Sequence, residues 1–219
     1  MSQLKVIPIN RAEANRERLI RAAGAVLARV GFEAATPDLV AAEAGLPRSE
    51  LFRNFQGLRR LVSAYARSPR YWPTAAGLIH DDAEALRRMS PAELMATFFK
   101  RYLRQLLERP ETLDVMAWEA LTRNPLTRAI EAGRERTALE FFELMDQDPP
   151  ADVDLTALVL FIAGGIHFLA VRSRTMDCLG GVDLTSPAGW RRIEELIDFL
   201  LARSLGGVPV QQPGSAASE

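Results

Sequence analysis

Apolar residues recur along this chain at helical spacing, and almost nowhere do they alternate with polar ones as a half-buried strand would require. Leu19, Ile20, Ala23, Val26, Leu27 and Val30 make one such stripe, with Arg16, Arg18, Arg21 and Arg29 mostly outside it. They predict a helix over 11–30, ended by Gly31 in a left-handed cap. Thr36-Pro37-Asp38 then reads as a helix start. It offers a hydroxyl N-cap, a proline whose missing N–H has no partner at that position, and an acid at the positive end of the helix dipole. The second helix turns Leu39, Val40 and Ala44 inward and stops at Gly45. A third opens around Pro47 and Ser49, with Leu51, Phe52 and Phe55 as its inward anchor, and Gly57 breaks it. A fourth carries Leu58, Leu61, Val62 and Tyr65 on one side and Arg59, Arg60 and Arg67 on the other.

Ser68-Pro69 and Trp72-Pro73 mark a joint, beyond which the same period predicts longer helices over 74–89, 91–108, 111–122, 125–146, 153–174 and 187–204. Ser90-Pro91-Ala92-Glu93 has the composition of a capping box. The pattern therefore divides an all-α chain into four parts: a flexible arm (1–10), a helix-turn-helix unit (11–67), a helical body (68–205) and a tail (206–219). The tail is small, polar and rich in Pro and Gly, and is expected to be disordered.

Composition narrows the class. The chain is 48% apolar and 25% charged, ordinary for a soluble globular protein. Its longest apolar stretch, Leu155–Val171, contains Gly164, Gly165 and His167 and falls short of the roughly 18 residues of a bilayer span. The opening "MSQLKVIPIN" lacks the apolar core of a signal peptide, and one cysteine, Cys178, gives no intrachain disulfide framework. A cytoplasmic protein without a membrane partner is the expectation. Net charge is −1, but it is unevenly spread. Residues 11–70 hold 11 arginines against 6 acids, whereas residues 71–219 hold 15 basic and 22 acidic residues. A basic first third on an acidic body suggests that the first part meets a polyanion.

Three helices in so short a span, the last two joined by a glycine-containing turn, have the spacing of a helix-turn-helix. Ala41, Ala42 and Ala44 allow its second and third helices to approach closely. Arg48, Ser49, Glu50, Arg53 and Asn54 are then left on the outer face. Arg can pair with guanine and Asn with adenine in the major groove. Thr36, at a helix start, offers a hydroxyl and unpaired N–H groups to a phosphate. Glu50 has three readings: an acceptor for cytosine, an acid that repels phosphate and suppresses nonspecific binding, or a helix-start acid that favours the dipole.

Residues 16–62, "RERLIRAAGAVLARVGFEAATPDLVAAEAGLPRSELFRNFQGLRRLV", resemble the DNA-binding domain of the TetR/AcrR family of transcriptional regulators. The matching positions are Ala22-Ala23, Gly31, Thr36, Val40-Ala41, Ala44-Gly45-Leu46, Leu51-Phe52, Phe55 and Leu61. The chain departs from the family pattern where Glu50 replaces a Thr, Phe52 a Tyr, Asn54 a His and Leu58 a Lys. Two phosphate anchors are lost there, leaving Arg53, Arg59 and Arg60 as substitutes. The resemblance implies DNA contacts from Thr36, Arg48, Ser49, Glu50, Phe52, Arg53, Asn54, Arg59 and Arg60. It also implies a homodimer on near-palindromic operator DNA, a ligand pocket in the body, and repression relieved by a small apolar or amphipathic effector.

In the body, Phe98, Tyr102, Met116, Trp118, Glu119, Phe141 and Met145 are candidate ligand contacts, although most such residues must be core, and a Glu119–Arg123 surface pair is the plainer account of that acid. Gly164-Gly165 sits mid-helix, where glycine is unfavourable unless another helix comes close. With Phe161, Phe168, Ile193, Leu196, Ile197 and Leu200 it predicts a dimer face on the last two helices. His80 beside Asp81, Asp82 and Glu84 is too sparse for a metal site, and no metal or cofactor is expected. No G-x-S-x-G, P-loop or G-x-G-x-x-G occurs, so no catalytic residue is assigned. The competing reading is an all-helical carrier or enzyme whose helix-turn-helix is only scaffold.

Overall fold

The computed structural model describes residues 11–79, 88–144 and 153–206. The N-terminal arm, the tail beyond Gly206, Met145, the His80 cluster and the side chain of Phe141 lie outside the described residues.

The order is α1 (Arg11–Ala34), α2 (Pro37–Glu43), α3 (Arg48–Phe55), α4 (Leu58–Ala66), α5 (Ala75–Ile79), α6 (Pro91–Leu107), α7 (Pro110–Glu119), α8 (Pro125–Leu144), α9 (Leu155–Arg172), a β-hairpin, and α10 (Pro187–Leu205). The all-α class holds. The helix starts follow local chemistry. Ser90 accepts from the Glu93 amide while the Glu93 carboxylate takes the Ser90 N–H at 2.9 Å, a complete capping box. Asp154 and Ser186 cap α9 and α10 through the amides of Ala157 and Gly189.

Three boundaries differ from the periodic pattern. Gly31 takes φ +73 as expected, yet helical turns resume across it to Ala34, so it kinks α1 rather than ending it. Of the helix expected over 74–89, Ala75–Ile79 is helical among the described residues, and Arg88 and Met89 are not. Cys178–Leu179 pairs antiparallel with Val182–Asp183 around Gly180 and Gly181, both at positive φ. This hairpin went unread because each arm is too short for alternation to show, although a Gly-Gly pair is a turn signal in its own right.

One apolar core runs through the molecule. It joins Leu19, Val26 and Leu27 of α1 to Leu51 and Phe55 of α3, Leu61 and Tyr65 of α4, and the large residues of α6 and α7. α1 packs on α2, α3, α4 and α7, α4 packs on α8, and α6 packs on α9 and α10. α9 is different in kind. It buries only Ile162, Ile166 and Ala170, one narrow stripe. It is also long and apolar enough to cross a membrane by length and composition, correcting the expectation that no apolar stretch reaches that size.

Candidate nucleic-acid interface

α1 to α4 form the helix-turn-helix from ordinary capping. Thr36 accepts from the Leu39 amide at 3.2 Å and starts α2. At the other end the amides of Leu46 and Gly45 bond the carbonyls of Ala41 and Ala42 at 3.0 and 2.9 Å, a Schellman turn that needs the +59 φ of Gly45. Arg18 reaches from α1 to donate to the Ala44 and Gly45 carbonyls at 2.7 and 3.3 Å. A cation at the negative end of α2 favours its dipole and pins the turn. Ala41 and Ala44 are buried, as close packing requires, whereas Ala42 faces solvent.

The inward anchor of α3 is Leu51 and Phe55, one turn apart and both buried. Phe52 was expected beside them. It lies one residue round the helix and is 40% exposed, with the Arg48 guanidinium 5.3 Å from its ring centroid. Arg48 also pairs with Asp38 at 3.1 Å, and both side chains are exposed. Ser49 and Arg53 are exposed too. Exposed ion pairs are weak and screened by salt, so Arg48 can exchange Asp38 for a phosphate or a base edge at little cost.

Glu50 and Asn54 are not on the outer face. The Glu50 carboxylate, only 15% exposed, accepts from Asn15 of α1 at 3.3 Å and is ion-paired with Arg53. Asn54 donates to the Glu50 carbonyl at 2.7 Å and to its carboxylate at 3.4 Å. Asn15 is itself buried. The acid therefore ties α3 to α1 and is turned away from solvent. Counting helix faces missed this because the decisive partner lies on another helix, and only the polar Asn15 in an apolar stripe hinted at it.

Arg59 and Arg60 open α4 and are exposed, and Arg60 donates to the Gln56 side chain. Arg16 lies 4.5 Å above the Phe55 ring and shares a groove with Asn54, Gln56, Arg60 and Arg67. The exposed surface of α3 and the start of α4 thus carries guanidinium groups and a hydroxyl, with its one central acid neutralised from within.

The body residues fall into two groups. Phe98, Tyr102 and Met116 are buried in the core. Trp118 donates from Nε1 to the Ala28 carbonyl at 2.9 Å, and its ring covers Gly31. Glu119 pairs with Arg134 of α8, at 2.7 Å through one oxygen, and not with Arg123, which bonds Glu131. Arg134 also reaches the Tyr71 hydroxyl at 3.3 Å. Tyr102 hydrogen-bonds His167, and burial with the nearby Arg134 charge pulls the imidazole down to about 4. His167 is therefore neutral at pH 7.

Of the candidate dimer residues, Phe161, Gly164, Gly165, Phe168 and Leu196 are exposed, and Ile193 and Leu200 are half-buried. Ile197 is buried in its own chain's core, because α10 turns that position towards α6. Leu160 and Phe199 are exposed on the same two helices and were missed.

No family model matches the chain, and no curated protein matches it. Solved structures do. The fatty acid degradation regulator FadR from Bacillus halodurans aligns with a TM-score of 0.63 at 16% identity, over 84% of this chain and 94% of its own. A TetR family transcription regulator from Marinobacter aquaeolei aligns with a TM-score of 0.61 at 19% identity, over 86% and 96%. A TetR-like transcriptional regulator from a Rhodococcus species gives 0.57 at 16% identity, over 89% and 97%. At such identities the likeness is one of fold: this chain has the all-α fold of the TetR-family regulators.

Proposed function

We propose that this protein is a cytoplasmic, homodimeric, DNA-binding transcriptional regulator without enzymatic activity. In this reading residues 11–67 bind DNA and residues 68–205 dimerise and take up a small apolar or amphipathic effector whose binding releases the operator. The observation that carries it is the α2–α3 pair, whose exposed side bears Arg48, Ser49 and Arg53, continued by Arg59 and Arg60 on α4. Arg48 is held by an exposed ion pair, Arg53 presents an exposed guanidinium beside the shielded Glu50, and Arg59 and Arg60 have no carboxylate partner among the described residues, so phosphates and guanine edges can recruit them. Thr36 at the start of α2 would add a phosphate contact, and Phe52 would pack its exposed ring against the backbone or a thymine methyl. Glu50 and Asn54 act indirectly, by fixing how α3 sits on α1.

The dimer reading is supported by the exposed faces of α9 and α10. Phe161 is 74% exposed and Leu160, Phe168, Leu196 and Phe199 are exposed with it. Gly164 and Gly165 have nothing within 4 Å of where a Cβ would stand. An apolar surface with a glycine dip suits the same two helices of a second copy, and a two-fold dimer places two α3 helices on successive half-sites. For the effector, the Bacillus halodurans neighbour is a fatty acid degradation regulator, and an apolar or amphipathic molecule is the class we propose here.

Fluorescence anisotropy against the DNA upstream of the protein's own gene tests the reading. Salt-sensitive binding that survives excess random competitor is expected, and Arg48→Ala with Arg53→Ala should abolish it in a protein that still folds and dimerises. An unaffected double variant, or no competitor-resistant binding to any upstream fragment, refutes it.

A further inference from the structure

Between α4 and α8 runs a groove of about 590 Å³, within the range of small-ligand sites. Arg59 and Ser63 of α4 and Arg67, which caps it, line it from one side, each one turn after the last, and Arg128 and Arg136 line it from α8 two turns apart. The floor is small: a Cβ on Gly133 would come within 2.6 Å of the Ala66 carbonyl, so the two helices nearly touch. Four guanidinium groups therefore edge one cleft with no acid among its lining residues. Among the described residues only Arg136 has a carboxylate partner, Glu140 at 2.9 Å, and that pair is exposed. The neighbouring Glu131 is engaged with Arg123.

Like charges gathered in one cleft repel one another, and an anion placed among them relieves that repulsion. Guanidinium forks match the paired oxygens of phosphate and carboxylate groups. We propose that the α4–α8 groove is a binding site for a small polyanion carrying two or more phosphate or carboxylate groups. A nucleic-acid duplex is the weaker occupant: half of the groove belongs to body helix α8, no residue of α3 lines it, and its walls close together at Gly133. This assignment does not depend on DNA recognition by α3.

Isothermal titration of the full chain with pyrophosphate, and separately with citrate, in the absence of DNA tests it. Saturable, salt-sensitive binding of at least one of them is expected, and the two arms tell phosphate from carboxylate preference. Arg128→Gln with Arg136→Gln should weaken binding at least about tenfold while leaving the melting temperature of the unliganded protein within a few degrees. Should that variant fail to fold, Arg67→Gln on the opposite wall should weaken binding by several-fold. The proposal is overturned if neither anion binds, or if binding is unchanged in the folded variants. It is equally overturned if a random duplex displaces the anion and itself loses affinity in the α8 variant, which would assign the groove to DNA.

Discussion

Glu50 lies in the first turn of the helix that would read DNA, and its environment decides what it does. Three donors, from Asn15, Arg53 and Asn54, surround a carboxylate with little exposure. Replacing it with alanine leaves the buried Asn15 amide without an acceptor, which costs about 1–3 kcal/mol. It also releases Arg53 and makes the surface more positive. Glu50→Ala should therefore lower the thermal midpoint and at the same time tighten binding to random-sequence DNA. An unchanged midpoint would remove the brace from the account. None of this was legible from face-counting, which put Glu50 and Asn54 outside, because a hydrogen bond between helices 35 residues apart leaves no periodic trace. His167 makes a second point at this scale. Its imidazole sits at about 4 in the folded chain, held down by burial and by Arg134, against an ordinary 6.5. Between those values the unfolded chain takes up a proton that the folded one refuses, so stability falls as pH drops from 6.5 towards 4 and this contribution is flat below. The loss approaches about 3 kcal/mol. Urea midpoints of the wild type and His167→Gln should differ in slope across that window, and parallel curves would dismiss it.

Among elements, α9 and α10 are the pair the isolated chain leaves unfinished. Five apolar positions on them, Phe161, Phe168, Ile193, Leu196 and Leu200, are legible as one face from periodicity and a mid-helix Gly-Gly, but periodicity puts Ile197 on the wrong side and passes over Leu160 and Phe199. The reason is physical: α10 is apolar on two sides. One is fixed to α6 by Arg104–Glu194 and Lys100–Asp198, both at 2.6 Å, and sequence spacing does not say which side an ion pair will claim. The helix starts, by contrast, were readable nearly to the residue, because Ser90-Pro91, Pro110, Pro125 and Ser186-Pro187 carry their own caps or fixed φ. If α9 and α10 meet the same helices of a second copy, Gly164→Leu should turn a dimer into a monomer by sedimentation velocity. The single chain has open space there, so its melting behaviour at low concentration should be almost untouched. A dimer that survives Gly164→Leu would place the contact elsewhere.

For the whole molecule the question is how the first four helices and the body are coupled, since α3 would respond to the proposed effector only through contacts that cross between them. Three are built into the fold. Trp118 covers the Gly31 kink and bonds the Ala28 carbonyl. Tyr65 of α4, its phenol held far above the usual range by burial and by Glu111, donates to that carboxylate at 2.9 Å beneath Gly24. The third is the close pass of α4 over Gly133 of α8. Each relies on a glycine that admits a partner from the other side, so each is sensitive to a single Cβ. Gly31 is the most constrained, having both a positive φ and a tryptophan ring 2.8 Å from where its Cβ would stand. Gly31→Ala should cost about 1–3 kcal/mol from backbone strain, with further loss from displacing the ring. Trp118→Ala removes the ring but keeps the glycine. It should cost about 2–3 kcal/mol, less than a fully buried tryptophan because the side chain is partly exposed. The two substitutions act on one contact, so the double variant should be less destabilised than the sum of the singles. Additive losses in a thermodynamic cycle would mean that Trp118 and Gly31 do not act as a unit, and that the first four helices are linked to the body chiefly through Tyr65 and the pass of α4 over Gly133.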